Sequence, residues 1–276
     1  MRAAVLGHVE WMTFGVVDRV PASGEIAHSL DWWEEPGGGG AVAAVQLQRL
    51  TGDCTFFTAL GKDATGKRAH LELEGLGLRA HVAPRATQTR RGFTFIETSG
   101  ERTITTLGER LHARADDPLP WDELAEIDCV YVCAADAGAL RLARRARVLV
   151  ATSRVAGLLA EAAVRLDAVV GSASDPSETF DPTTLPEPPS VVVRTEGRRG
   201  GTYRTADGRA GRYAPAEPPG PVVDAYGAGD VFAAGLTFAL GRGDDVDDAL
   251  SVAARCGAWC VAGRGPYGRS LTAAEV

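Results

Sequence analysis

Near its C-terminal end the chain reads DAYGAGDVFAAGLTFAL, Asp224 to Leu240. Gly227 and Gly229, with small Ala228 between them, stand at the mouth of an apolar helical run, and the carboxylate of Asp230 follows at once. Glycine weakens a helix interior, so a pair at a helix start asks for a purpose. The first turn of a helix offers N–H groups without intrahelical acceptors and the positive end of the macrodipole. Small residues there let a phosphate come within hydrogen-bonding distance of the backbone. Asp230 in that turn could take a proton from a hydroxyl attacking the phosphate. It could equally do no more than complement the dipole, and the four residues GAGD alone leave both readings open.

The totals narrow the field. The 276 residues carry 29 Lys and Arg against 36 Asp and Glu, a formal charge of −7. No basic cluster breaks that balance, so a nucleic-acid partner is not expected. The run from Arg141 to Arg147 reads as the solvated face of a helix. The N-terminal MRAAVLGHVEW has too short an apolar run for a secretory signal or a membrane span, and a cytoplasmic protein with no membrane partner is expected. Five cysteines do not suggest a disulfide framework. Cys129 and Cys133 in CVYVC, and Cys256 and Cys260 in a helical stretch, read as buried free thiols rather than zinc ligands. Gly-x-x-x-x-Gly-Lys-Ser/Thr is absent, which excludes a P-loop.

The elements that must hold Asp230 in place follow from the pattern of apolar residues. AAVLG, CTFFTAL, CVYVC, RVLVA, DAVVG and SVVVR are short apolar runs with little alternation, as in strands covered on both faces. Helical segments separate most of them: AVAAVQLQRL stopped at Gly52, GKDATGKRAHLELEGLGL, AGALRLARRA and VAGLLAEAAVRL. GFTFIET and RTITTL alternate across an SGE turn and predict a hairpin with one wet face; GTYRTADGRAGRYAP predicts another around DG. Strand–helix alternation implies a three-layer α/β fold, a mostly parallel central sheet flanked by helices, with a small accessory β-sheet.

VVDAYGAGDVFAAG resembles the second signature of the ribokinase-like (pfkB) carbohydrate kinase family, roughly Asp-Thr-x-Gly-Ala-Gly-Asp-x-Phe. Asp224, Gly227, Ala228, Gly229, Asp230 and Phe232 match it, with Ala225 in place of the usual Thr. Upstream, PGGGGAVAAVQLQRLTGDCTFFTALGKDATG is similar to the first signature through Gly37, Gly38, Gly61, Asp63 and Gly66. PASGE, GERTIT and VRTEGRRGG are similar to three further family phrases, and all the pieces fall in family order. The resemblance implies one kinase domain over residues 1–276, with a lid from segments 9–36 and 84–110. It implies a γ-phosphoryl transfer from ATP to a hydroxymethyl group of a sugar or sugar-like molecule. Asp230 would be the base, and the amides of Gly227, Ala228 and Gly229 the anion hole.

By the same resemblance Thr195, Gly197, Gly200 and Cys256 would touch the nucleotide. Mg2+ would bridge the phosphates with Asp175, in SASD, orienting a metal-bound water, and K+ could sit beside Asp224 and Tyr226. Gly37, Gly38 and Asp136 would face the acceptor. Two acceptor positions depart from the family: Val42 stands where Asn is usual and Met12 where Asp is usual, with Glu10 and Trp11 as the nearest polar and aromatic alternatives. These losses favour an apolar or aromatic acceptor over ribose. A homodimer through the lid is expected. Trp32 and Trp33 could cover substrate, and Arg90 and Arg102 could reach an anionic acceptor. The alternatives are a kinase-fold sensor of a sugar or nucleotide without turnover, and a nucleoside kinase.

Overall fold

A computed structural model describes residues 1–276. In chain order the elements are β1 (Ala3–Leu6), β2 (Glu10–Val17), β3 (Asp31–Gly37), α1 (Gly39–Thr51), β4 (Cys54–Gly61), α2 (Ala64–Gly75), β5 (Arg79–Arg85), β6 (Arg91–Glu97) and β7 (Arg102–Leu107). There follow β8 (Cys129–Val132), α3 (Ala137–Ala143), β9 (Val148–Thr152), α4 (Ala156–Ala162), β10 (Ala168–Ser172), β11 (Val191–Thr195), β12 (Gly201–Thr205), β13 (Ala210–Tyr213), α5 (Ala228–Arg242) and α6 (Val246–Val261).

The unalternating apolar runs become the interior of a nine-stranded sheet in the order β13-β12-β11-β10-β9-β8-β1-β4-β5. Every pair from β5 to β11 is parallel, and only β12 and β13 run antiparallel at one edge. Both β1 and β4 are buried along their whole length, because helices cover both faces. One face packs on α1, α5 and α6, with Val5, Phe56, Leu47, Leu236 and Leu250 in its core. The other packs on α3 and α4, where Leu6, Val130, Leu140, Leu149 and Leu159 meet. Gly52 closes α1 in a left-handed cap, and the Asp63 carboxylate caps α2 at the Gly66 N–H.

The alternating runs form a second, four-stranded sheet in the order β3-β2-β6-β7. β6 alternates exposed and covered residues, and the expected hairpin joins it to β7. β7 differs from the one-wet-face expectation: all six of its residues are exposed, because it is the edge strand and its outer side meets no other element of the chain. The fold is therefore three-layer α/β with a mostly parallel central sheet and a small accessory sheet, as expected.

One expectation fails on packing. Cys256 lies on α6 with no exposed surface and its thiol presses on α5 at Gly235, where a side-chain carbon would stand only 2.8 Å from the sulfur. Burial pushes its pKa up to about 12. It is a packing residue between two helices and touches no open space, so the nucleotide contact assigned to it is withdrawn. All five cysteines are buried free thiols, as the sequence suggested. Removing the Cys256 sulfur leaves a small void, and Cys256→Ala should cost about 1 kcal/mol of unfolding free energy in a urea titration, with no thiol of the native protein reacting quickly with Ellman's reagent.

Candidate active site

The parallel strands bring their carboxyl ends to one edge of the sheet. Register pairs Leu6 with Val132, Val132 with Ala151, Val170 with Thr152, and Ser172 with Thr195. The segments that leave those strands therefore lie side by side, and this edge is where ligands bind in open α/β sheets. The exits carry His8 and Glu10 after β1, Asp136 after β8, Arg154 after β9, Asp175 and Glu178 after β10, and Gly197 to Gly200 after β11.

Against this edge the first turn of α1 meets the first turn of α5. A side-chain carbon on Gly39 would collide with the Asp230 carboxylate, so only glycine lets that carboxylate lie where it does. Gly227 caps α5 in a left-handed conformation (φ 79°), and a side chain there would come within 2.9 Å of Val42. The Tyr226 hydroxyl accepts the Gly38 N–H at 2.9 Å, and Gly37 packs on Met12 and that same hydroxyl. Val42 and Met12 are closed off, at 1% and 0% exposure. They are therefore corrected from acceptor contacts to the wall that fixes the glycine backbones, and they line no apolar acceptor pocket.

The start of α5 has no side-chain cap. The N–H groups of Gly227, Gly229 and Asp230 find no acceptor in the chain, whereas that of Ala228 reaches Ala225 O at 3.5 Å. The free donors thus differ in one member from the Gly227–Gly229 set the sequence suggested: Ala228 drops out and Asp230 joins. Beside them the half-buried Asp230 carboxyl has its pKa raised to about 6, first by desolvation and also by the negative charges of Glu178 and Glu10, with Arg154 and Arg102 opposing. Poised donors and a carboxyl titrating near neutrality can bind an anion and take a proton.

A cavity of about 470 Å³ opens between the accessory sheet and the strand exits, lined by Arg90, Arg110, His112 and Arg154 with Ala134 and Ala135, and the charge of Arg154 is also felt at Asp230. Arg90 lies 3.2 Å from Glu10, close enough for an ion pair though not aligned for a hydrogen bond, and it donates to Thr106 Oγ1 at 2.6 Å. Glu10 is buried and its pKa is raised, chiefly by burial, with Arg90 opposing. Buried His8 is held well below its ordinary pKa by desolvation and then by the charges of Arg110, Arg90, Arg154 and His112. It is neutral at pH 7.

The remaining candidates fall in different places. Asp136 caps α3 through the Ala139 N–H at 2.7 Å and also accepts the Ala115 N–H at 3.1 Å; its carboxylate joins the 108–120 segment to α3, which corrects its assignment to the acceptor. Asp175 caps a short turn at Ser177 and pairs with Arg154 at 2.8 Å. Glu178, which the sequence reading passed over, pairs with the same arginine and accepts the Ser172 N–H at 2.6 Å. Its charge acts on Asp230, whereas that of Asp175 does not rank among the causes. It stands six residues beyond Ser172 where three was the expected spacing, and the looser loop hid it.

Thr195, Gly197 and Gly200 form the turn from β11 to β12, whose hairpin reaches α5 through the Tyr213–Phe232 ring contact at 5.5 Å. Asp224 is buried with no ion-pair partner, its oxygens accepting the N–H groups of Tyr226 at 2.8 Å and Gly265 at 3.2 Å; burial raises its pKa. The residues do not gather three potential ligands around one point for a metal ion.

Comparison with known proteins follows this geometry. The sequence profile described as pfkB family carbohydrate kinase matches residues 2–178 and 166–273. A ribokinase from Dictyostelium discoideum is 40% identical over 62 residues, 22% of this chain and 20% of that protein. An acarbose 7(IV)-phosphotransferase from Actinoplanes sp. is 37% identical over 70 residues, 25% of this chain and 23% of that protein. Those matches therefore span about a quarter or less of the relatives' lengths. Among solved structures, the ribokinase of Thermotoga maritima superposes over 100% of this chain and 97% of its own with a TM-score of 0.80 at 20% identity. A nucleoside kinase of Methanocaldococcus jannaschii covers 100% and 96% with a TM-score of 0.74 at 16% identity; both are likenesses of fold. With the profile running from Arg2 into the last loop, this chain belongs to the pfkB family of carbohydrate kinases.

Proposed function

We propose that this chain transfers the γ-phosphoryl group of ATP to a hydroxymethyl group of a small-molecule acceptor. The observation that carries the reading is the meeting, in one helical turn, of a carboxyl titrating near pH 6 with main-chain N–H groups that have no acceptor. The acceptor hydroxyl loses its proton to an Asp230 oxygen as its own oxygen bonds to the γ-phosphorus. The bond from that phosphorus to the β–γ bridging oxygen breaks, and ADP leaves with the electron pair. The N–H groups of Gly227, Gly229 and Asp230 hold the transferring oxygens, where charge is spread in the transition state.

The Thr195–Gly200 turn supports the nucleotide from the far side of α5. Magnesium fits the donor set: Glu178 and Asp175 supply two carboxylates, and Mg2+ in such sites takes one or two beside phosphate oxygens and water. When bound it would neutralise charge on the ATP phosphates. K+ would find at Asp224 a buried negative charge without a counter-ion. The uncovered β7 edge is the surface through which a second copy would pair, giving a dimer in sedimentation equilibrium.

Asp230→Asn should lower kcat by about 10²–10⁴ in an ADP-release assay with a responsive acceptor, leaving ATP affinity within a few-fold. The upshift from 3.8 to about 6 means that the folded state binds the proton more tightly than the unfolded one. Stability contributed by protonation is present below pH 4 and lost as pH rises through 6, so at pH 7 the Asn variant should melt no lower than wild type. An unchanged rate for that variant would remove Asp230 from the chemistry. The same ionisation predicts kcat/KM falling tenfold per pH unit below about pH 6, an acid limb that should be read in a pH–rate profile. Gly39→Ala would displace the carboxylate it now touches and should reduce kcat about 10²-fold with little change in KM for ATP. If a ligand raises the melting temperature and no acceptor of a broad panel releases ADP, the chain is a sensor.

A further inference from the structure

The charged side chains that line the cavity can only donate. Guanidinium groups have five N–H donors and no acceptor, and Arg90, Arg110 and Arg154 line it together. Two of the three have carboxylate neighbours: Arg90 lies against Glu10, and Arg154 holds Asp175 and Glu178. Arg110 has none. No ion pair or hydrogen bond of the chain engages its guanidinium, and its buried Nε lacks any partner. Burial and the neighbouring charges of Arg90 and Arg154 act against it. A half-buried, unpaired cation of this kind is costly unless a ligand supplies the missing charge.

The acceptor-side carboxylates that would receive sugar hydroxyls are missing or occupied: Met12 replaces one, Asp136 caps α3, and Glu10 is turned to Arg90. The hydroxyls of a neutral polyol can accept from these guanidinium groups but leave the charge of Arg110 uncompensated, whereas a planar carboxylate or a phosphate ester brings acceptors with the opposite charge and suits the guanidinium fork. Arg154 lines this cavity and its charge is also felt at Asp230, so an anion bound there lies within electrostatic reach of the carboxyl.

Resting on the phosphotransferase reading, we infer that the acceptor is anionic, a sugar acid or a sugar phosphate whose charged group is held by Arg110 with Arg90 while a hydroxyl of the same molecule faces Asp230. The cavity, at about 470 Å³, holds a ligand of that size.

The test uses matched sets of C5 and C6 compounds: a neutral aldose, the aldonate of the same configuration, and the aldose phosphate. Each is measured by ADP release with ATP and Mg2+ and by titration calorimetry. At least one anionic member should exceed its neutral counterpart about 100-fold in kcat/KM; the aldonate and phosphate arms then tell which oxyacid is read. Arg110→Gln should raise KM for that acceptor about 30-fold or more, with kcat and KM for ATP near wild type, and Arg110→Lys should recover part of the loss. A neutral sugar that reacts as well as its charged partners, or an Arg110→Gln variant with unchanged KM, overturns the inference and leaves the kinase reading standing. Anionic compounds that bind without ADP release sink the kinase reading and uphold the anion site. If no anionic member binds or reacts, the inference is wrong. Should the Gln variant fail to fold, the wild-type comparison of charged and neutral members decides alone.

Discussion

The contact between the first turns of α1 and α5 governs the rest of this molecule. Gly39 admits the Asp230 carboxylate, Val42 closes over Gly227, and the Gly38 N–H bonds the Tyr226 hydroxyl. Each of these is a close approach of backbone that any larger side chain would block. The two helix starts point their unpaired N–H groups and positive dipole ends toward the same edge of the sheet. The β1, β8 and β10 exits come to that edge because the parallel ladder aligns them. The large apolar faces of α5 and α6 then serve mainly to hold this meeting point still, and the fully covered Cys256–Gly235 contact belongs to that task.

Burial is used there against charge. Asp230, Asp224 and Glu10 all have raised pKa values with desolvation as the leading cause, and Glu35 is pushed up to about 7 in the same way. Carboxylates kept in this condition weaken the folded state at neutral pH, and such local costs are typical of sites that do chemistry. Arginines from separate elements restrain the effect. Arg154 from the β9 exit and Arg102 from the lid oppose the rise at Asp230, and Arg90 does so at Glu10. Because Arg102 belongs to β7, the accessory sheet contributes to the potential at Asp230.

Much of this architecture was legible in the residue order. Unalternating apolar runs marked the strands buried on both faces, alternating runs marked the accessory sheet, and Gly52 marked a helix end, since each depends on neighbours within a few residues. GAGD at a helix start, with the glycine run near Gly37, pointed to the uncapped start of α5 and its close contact with α1 for the same reason: such close approach of backbone needs small residues whatever surrounds it. The exposure of β7 was not legible, because it depends on which strand ends a sheet.

How the side chains of the arginine-lined cavity come together was decided largely by the tertiary fold. Arg90 and Arg110 flank the β6–β7 hairpin, whose pairing of Arg91 with Leu107 brings them close, but Arg154 comes from the β9 exit and nothing local to it says that it joins them. Met12, Val42 and Asp136 occupy aligned positions, yet two are sealed into the core and one is spent on a helix cap. Sequence by itself determined the backbone chemistry of this protein, the helix start that can hold a phosphate with a carboxylate beside it, because that chemistry is local. Which charges line the cavity was settled by packing, since the direction of a side chain is set by neighbours that only folding brings near.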